Sequence, residues 1–347
     1  MYRKSLYKKL VVLFGILLFI PILSVNALEP IELTQTIFDA AKNNEAGAPD
    51  YISYEDSHGY TINVGDESYD FILSSDIDLG ADLKFINGNY NLNLNGKLLD
   101  CSSFDTNGVD MVISGNGTVN GSINFQDSHV TIKNGTFNKH IAAWWTELII
   151  EDATVYSGEY GYALESNGTV TFEIRGGTYI VSEEGYNAVG VDNSCAIRAE
   201  HGDSIIIVKG GSFSGGKSGI YIVAGEVENI SLQGGTFEGT EAAIKILGYG
   251  LSNYTNDKSL EAILGEGYMY SPSMTIINEA YNGYNYYSYT SEKTLEIVKI
   301  PEEPAQEETT SEETPKTRNP KTSDNVINYA LLFSISLLSF TIIKKIQ

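Results

Sequence analysis

An eight-residue pattern recurs through the middle of the chain, and its spacing limits what the chain can fold into. The pattern is apolar, any, apolar, polar, Gly-Gly, Ser/Thr, aromatic. Asp203–Thr240 holds two copies, Ile206-x-Val208-Lys209-Gly210-Gly211-Ser212-Phe213 and Ile230-x-Leu232-Gln233-Gly234-Gly235-Thr236-Phe237. Phe172-x-Ile174-Arg175-Gly176-Gly177-Thr178-Tyr179 is a third close copy. Leu148–Val155 and Val130–Phe137 are looser ones, and Met111–Val119 is a degenerate copy with one extra residue. The hydroxyl positions 118, 136, 154, 178, 212 and 236 are separated by 18, 18, 24, 34 and 24 residues.

A period near twenty is too short for a helical pair or a propeller blade. It suits one coil of a β-solenoid, with each coil stacked on the last at about 4.8 Å. Side chains two apart on a strand share a face, so both apolar positions point inward together. The column Lys133, Glu151, Arg175, Lys209, Gln233 is polar in every copy and is expected to face water. The Gly-Gly pair lets the coil turn a corner with backbone angles closed to other residues. The side chain after the hydroxyl then re-enters the core.

These columns resemble the right-handed parallel β-helix of the pectin-lyase-like superfamily, over roughly Phe71–Lys299. The resemblance rests on the repeat and carries no catalytic signature, so it speaks to fold more than to function. Left-handed β-helices need a strict six-residue period, which is absent. The expected fold class is therefore all-β, a right-handed parallel β-helix (β-solenoid) with a short N-terminal helical cap, a disordered acidic stalk and a C-terminal transmembrane helix.

Segment by segment, residues 1–27 read as a signal peptide. Arg3, Lys4, Lys8 and Lys9 precede the uncharged run Leu10–Leu23, and cleavage is expected after Ala27. An uncleaved membrane anchor is the alternative. Residues 28–70 form a cap region, where Leu33, Ile37, Ala40 and Ala41 have helical spacing within Ile31–Asn44 and Pro49–Gly65 reads as loop or irregular strand. A cap is needed because the end of a solenoid exposes strand edges. Residues 71–300 form the parallel β-helix. The 34-residue spacing places extra residues within Val181–Ser194, once Ala163-Leu164, Ala196-Ile197 and Gly219-Ile220 are aligned. That segment reads as a lateral loop, a common place for a binding face. Met274–Ile277 and Leu295–Ile300 read as closing strands.

Residues 301–325 are an acidic, Pro/Glu/Thr-rich linker. Residues 326–343 are free of charge and long enough as a helix, about 27 Å, to span hydrocarbon. Residues 344–347 form a basic tail. The order of Asn319-Pro320-Lys321-Thr322-Ser323, apolar span and Lys344-Lys345 resembles a Gram-positive sortase sorting signal, whose pattern is Leu-Pro-x-Thr-Gly. Pro320 and Thr322 match it; Asn319 and Ser323 depart from it. A plain membrane anchor is the alternative. The resemblance implies attachment to cell-wall peptidoglycan, and the anchor alternative implies the membrane.

The chain carries 22 Lys/Arg against 45 Asp/Glu. Residues 28–325 hold 16 of the bases and all of the acids, a net charge of −29. Such a surface disfavours nucleic acid and anionic lipid as partners. Glycans that are neutral or basic, and metal cations, are compatible with it. No cofactor is expected, with Ca²⁺ a weak alternative. Cys101 and Cys195 fall about four coils apart, too far for a disulfide, and read as buried thiols.

Pectate lyases and polygalacturonases share the architecture, so catalysis needs weighing. In those families lyases use clustered Asp with Ca²⁺ and an Arg base, and polygalacturonases use paired Asp with Gly-His-Gly and Arg-Ile-Lys motifs. Ala199-Glu200-His201-Gly202-Asp203 holds only a His-Gly fragment, and there is no Asp-Asp pair. Asp192, Glu200 and Asp203 are candidate acids, or solvated turns. Trp144 and Trp145 are the only tryptophans. As strand neighbours they point to opposite faces, so at most one is core. The other would be a sugar-stacking platform, or would pack under a neighbouring loop. Tyr186, with Glu183, Glu184 and Asp192, decorates the inserted loop; Tyr186 and Asp192 are further glycan-binding candidates, or the segment is an ordinary surface loop. His58, His129, His140 and His201 show no metal-ligand spacing. The reading favoured is a Gram-positive surface protein for adhesion or glycan binding. A wall-associated polysaccharide lyase or hydrolase is the alternative, and a spacer without ligand is a third.

Overall fold

The computed structural model describes residues 29–187, 194–199, 204–223, 229–249, 263–271, 277–281 and 286–301. The signal-peptide segment, the acidic linker, the Pro320–Thr322 motif and the apolar span Val326–Ile343 lie outside the described residues. No helix among the described residues is long and apolar enough to cross a membrane.

The chain is all-β, built on a long ladder of parallel strands compatible with a β-solenoid. The hydroxyl positions define its register. Thr118 pairs with Thr136, Thr136 with Thr154, Thr154 with Thr178, Thr178 with Ser212, and Ser212 with Thr236. One coil thus holds His129–Ile132, Thr136–Phe137 and Ile141–Trp144; the next holds Glu147–Ile150, Thr154–Tyr156 and Tyr162–Ser166. Thr171–Ile174, Thr178–Ile180 and Cys195–Ala199 follow in the same order. We call the three stacked sets the first, second and third faces.

The inward columns are mainly apolar, with buried hydroxyls such as Thr106, Ser166 and Ser218 among them. On the first face Ile132, Ile150, Ile174, Val208 and Leu232 are in register and buried. On the third face Ile141, Leu164, Ile197, Ile220 and Ile244 do the same. At the second face Tyr179, Phe213 and Phe237 stack with ring centroids 4.8 Å apart and planes 6° and 10° from parallel. That separation equals the strand spacing, so neighbouring rings meet face to face. Lys133, Arg175 and Lys209 of the polar column are exposed, and Glu151 and Gln233 half-buried. Arg175 bridges Glu151 of the preceding coil at 3.3 Å and Glu173 at 2.8 Å, and Lys209 reaches Glu173 at 2.6 Å. These partners hold the Glu173 carboxyl below its usual range.

Where the corner carries Gly-Gly the two glycines serve different ends, although the coil with Asp152-Ala153 turns without either. The second has positive φ, +98° at Gly177 and +113° at Gly211. The first lies against the preceding coil: a Cβ on Gly176 would stand 2.9 Å from the Glu151 carbonyl oxygen, and one on Gly210 2.8 Å from that of Arg175.

The parallel register extends further towards the N-terminus than the recognisable repeat. Ile31–Leu33 pairs with Phe71–Leu73, and Gly59–Asn63 with the start of Leu83–Asn93. Leu33 therefore sits in a strand, not on the helix its spacing suggested. The helix is Gln35–Lys42, capped by Thr34, and the residue it buries is Phe38, set edge-on to Tyr60 at 5.2 Å. Within Pro49–Gly65, Ile52–Glu55 and Gly59–Asn63 form an antiparallel hairpin. At the other end Tyr268–Ser271, Ile277–Tyr281, Tyr286–Thr290 and Thr294–Lys299 pair antiparallel, two of them directly with Gly235–Tyr249. An antiparallel hairpin at one end and antiparallel strands at the other interrupt the parallel edge that would template further chains.

The extra residues of the long coil start with Ser182, whose Oγ caps the one-turn helix Glu183–Tyr186. Residues 188–193 lie outside the described set, and the ladder resumes at Cys195, paired with Tyr162 and Ser218. Cys101 and Cys195 are free and buried. Burial pushes the Cys101 thiol up to about 12 and raises Cys195 as well, so both are inert at neutral pH.

Candidate functional site

Outward positions of neighbouring coils are forced side by side by the ladder, so a surface site here is a set of columns. Two columns on the third face frame a groove of about 580 Å³ lined by Lys84, Asp105, Thr106, Asn124, Gln126, Trp144 and Trp145. One runs Lys84, Asp105, Asn124, and the other runs Asn107, Gln126, Trp144.

The polar wall is held in place before any ligand arrives. Asn124 Nδ2 donates to Asp105 Oδ1 at 2.7 Å, and Ser103 Oγ donates to Asp105 Oδ2 at 2.7 Å. Each oxygen keeps a lone pair for another donor. Thr106 Oγ1 donates to the buried Ser128 Oγ at 3.1 Å, which fixes the floor. The lining residues include one cation, Lys84, and one carboxylate, Asp105, so the groove is close to neutral within a strongly acidic chain.

The aromatic wall ends in an unusual backbone. The strand stops at Trp144, and Trp145 turns with φ +49°, a left-handed conformation that is an outlier for a bulky residue. Asp127, one coil earlier, has the same φ. One coil later the corresponding position is Gly168, and the Trp145 ring lies over it: a Cβ there would stand 3.5 Å from Trp145 Cε2. Trp145 is 58% exposed. Neither tryptophan enters the core: Trp144 is half-buried. Strand alternation does not separate the pair, because Trp145 is no longer in a strand. Both line the same groove.

The remaining candidates fall elsewhere. The Tyr186 hydroxyl lies 3.3 Å from Thr240 Oγ1 and does not line the groove. Glu183 and Glu184 are exposed on the one-turn helix. Asp192, Glu200, His201 and Asp203 lie outside the described residues. Further along the column of Asp105 and Asn124 come Ala142, Glu165 and Arg198. Arg198 Nη1 donates to Glu165 Oε1 at 3.1 Å, and its guanidinium sits 4.3 Å over the Tyr162 ring. Burial raises the Glu165 carboxyl above its ordinary range, with Arg198 opposing the shift.

His140 is buried against Tyr160, with ring centroids 3.7 Å apart, and its Nδ1 has no partner. Burial and the neighbouring Lys139 lower its pKa to about 4, so it is neutral at physiological pH. Sequence spacing gave no sign of this, because Tyr160 reaches His140 from the following coil.

No protein-family model matches the chain, and no curated protein or solved structure is significantly similar to it.

Proposed function

We propose that the chain is an exported right-handed parallel β-helix, displayed on a Gram-positive cell surface, that binds glycan through the groove of the third face. The observation that carries this reading is Trp145. A bulky residue held left-handed costs about 1–2 kcal/mol, and such outliers persist where the surroundings and function retain them. The ring lies against a glycine and is largely exposed, beside an oriented carboxylate and two side-chain amides. A flat apolar face next to fixed acceptors and donors matches a pyranose, which has one face of C–H bonds and hydroxyls at its rim. The near-neutral lining in an acidic chain favours neutral or amino sugars over polyuronates.

Binding is favoured over hydrolysis by the lining itself. Glycoside hydrolysis uses two carboxyl groups flanking the bond, and Asp105 is the single carboxylate among the described residues of this groove. A glycan array probed with the full chain, with reducing-end release assayed in parallel, tests the reading. Retention of selected glycans without release supports it, and release of reducing ends from a bound polymer replaces it with the hydrolase.

Display rests on the basic start, the apolar run before Ala27 and the C-terminal order of Pro320-Lys321-Thr322, apolar span and Lys344-Lys345. The linker of about 25 residues reaches at most about 85 Å, a short tether, so exposure beyond a thick wall favours covalent attachment at Thr322. Mass spectrometry of wall fractions is expected to find a chain that begins after Ala27 and ends at Thr322. An intact Gln347 in the membrane fraction would leave display but remove sorting.

A further inference from the structure

We propose that Thr146 is the positioning residue of the third-face groove: its buried hydroxyl locks the corner that holds the Trp145 ring in place. What the lock does for binding rests on the glycan reading; the lock itself does not. At the corner where the third face turns into the first, Asn87, Gly108, Asp127, Trp145 and Gly168 all have positive φ. Glycine takes that conformation freely, and Asn and Asp take it more readily than other residues with a side chain. Trp145 is the exception in this column.

The inward position just before each first-face strand tracks this difference. It is Val109 and Val170 in the coils whose corner residue is Gly108 or Gly168. It is Ser128 and Thr146 in the coils of Asp127 and Trp145. Each hydroxyl reaches back over the left-handed residue: Ser128 Oγ donates to the Gln126 carbonyl at 2.6 Å, and Thr146 Oγ1 to the Trp144 carbonyl at 2.9 Å. The coil of Asn87 reaches the same end by another route, since the nearest acceptor of the buried Tyr90 hydroxyl is the Ile86 carbonyl, at 2.7 Å. The carbonyl before each of these three left-handed residues is thus held by a buried hydroxyl. Where the corner residue is glycine, valine takes the hydroxyl's place.

A hydroxyl bonded to nearby backbone fixes the peptides it spans, and here the preceding coil fixes the hydroxyl. Ser128 N donates to Thr146 Oγ1 at 3.4 Å, and Asp127 N donates to the Trp144 carbonyl at 3.0 Å. Thr146 and Ser128 are each 2% exposed, so water does not compete for these bonds. Trp145 is the residue of the column with the most to gain by leaving the left-handed region. Without the Thr146 hydroxyl the corner relaxes, and the ring leaves its place over Gly168.

The test uses the full chain with Thr146→Val, which keeps the shape and removes the hydroxyl, and Thr146→Ser, which keeps the hydroxyl. Near-UV circular dichroism and acrylamide quenching report on the Trp145 ring in a Trp144→Phe background, and calorimetry reads glycan affinity in the parent background. Thr146→Val is expected to lose the Trp145 near-UV signal and to bind glycan about tenfold more weakly, whereas Thr146→Ser keeps both. Ser157→Ala removes a buried hydroxyl away from the groove and should move neither reporter. A stability arm covers a Thr146→Val chain that does not fold. Glycine at the corner needs no lock, so Thr146→Val should lower the urea midpoint less in Trp145→Gly than in the parent, or fold only there. A folded Thr146→Val with the parent's Trp145 signal, or an equal fall in midpoint in both backgrounds, overturns the lock. A parent chain that binds no glycan overturns the glycan reading alone, because the spectra and melts still decide the lock.

Discussion

Gly177→Ala tests the corner of the coil. Gly177 has φ +98°, outside the small left-handed region open to other residues. A Cβ there would collide with the Ala153 carbonyl oxygen and stand 2.8 Å from the Ala153 nitrogen. Both atoms are backbone of the preceding coil, and that oxygen accepts from Thr178 N at 2.7 Å. Nothing flexible can move aside, so the coils must part or the corner must reopen. Backbone strain costs about 1–3 kcal/mol, and displacing packed neighbours adds about 1–3 kcal/mol, a loss of about 2–6 kcal/mol. Gly108→Ala is the comparison. Gly108 has φ +65° with nothing near its Cβ, so only the left-handed conformation is taxed, about 1–2 kcal/mol. Urea melts of both variants give the difference. If Gly177→Ala costs no more than Gly108→Ala, close stacking at this corner is refuted.

Ile174→Ala removes a side chain that is 1% exposed and is expected to cost about 2–5 kcal/mol, whereas Arg175→Ala, with its exposed ion pairs, should cost about 1 kcal/mol or less; equal losses in urea would contradict the facing. His140 predicts acid sensitivity with a defined sign. Its folded pKa is about 4 against 6.5 unfolded, so below pH 6.5 the unfolded chain takes up a proton that the folded chain refuses. Its contribution is fully present above pH 6.5 and is lost as pH falls to 4, about 3 kcal/mol in all. His140→Leu should flatten that part of the stability profile, and an unchanged slope from pH 6.5 to 4 would rule the assignment out.

The sequence made the ladder legible from Val130 to Phe237 because each coil there repeats the same order of apolar pair, polar residue, hydroxyl and core side chain. Thr118, Thr136, Thr154, Thr178, Ser212 and Thr236 are in register as their spacing implied. Leu33 was misplaced because three residues of strand cannot be told from a helix turn by period alone. The antiparallel pairing of Gly235–Tyr249 with Tyr286–Thr290 and Thr294–Lys299 repeats nothing, so it left no periodic trace. The aromatic half of the groove was visible as Trp144-Trp145. Its polar half was not: Lys84, Asp105 and Asn124 lie in Leu83–Gln126, where no Gly-Gly corner marks the register. The left-handed turn at Trp145 is set by the coils on either side of it, and a lone sequence window does not contain them.

The measurement closest to the central claim is the affinity of the full chain for the glycan that binds best on the array, compared with that of Trp145→Ala and Tyr186→Phe. Calorimetry should show a loss of about tenfold or more for Trp145→Ala, about 1.4 kcal/mol, and parent affinity for Tyr186→Phe, which lies outside the groove. Equal affinity in Trp145→Ala and the parent, or no glycan bound by the parent at all, would contradict the account.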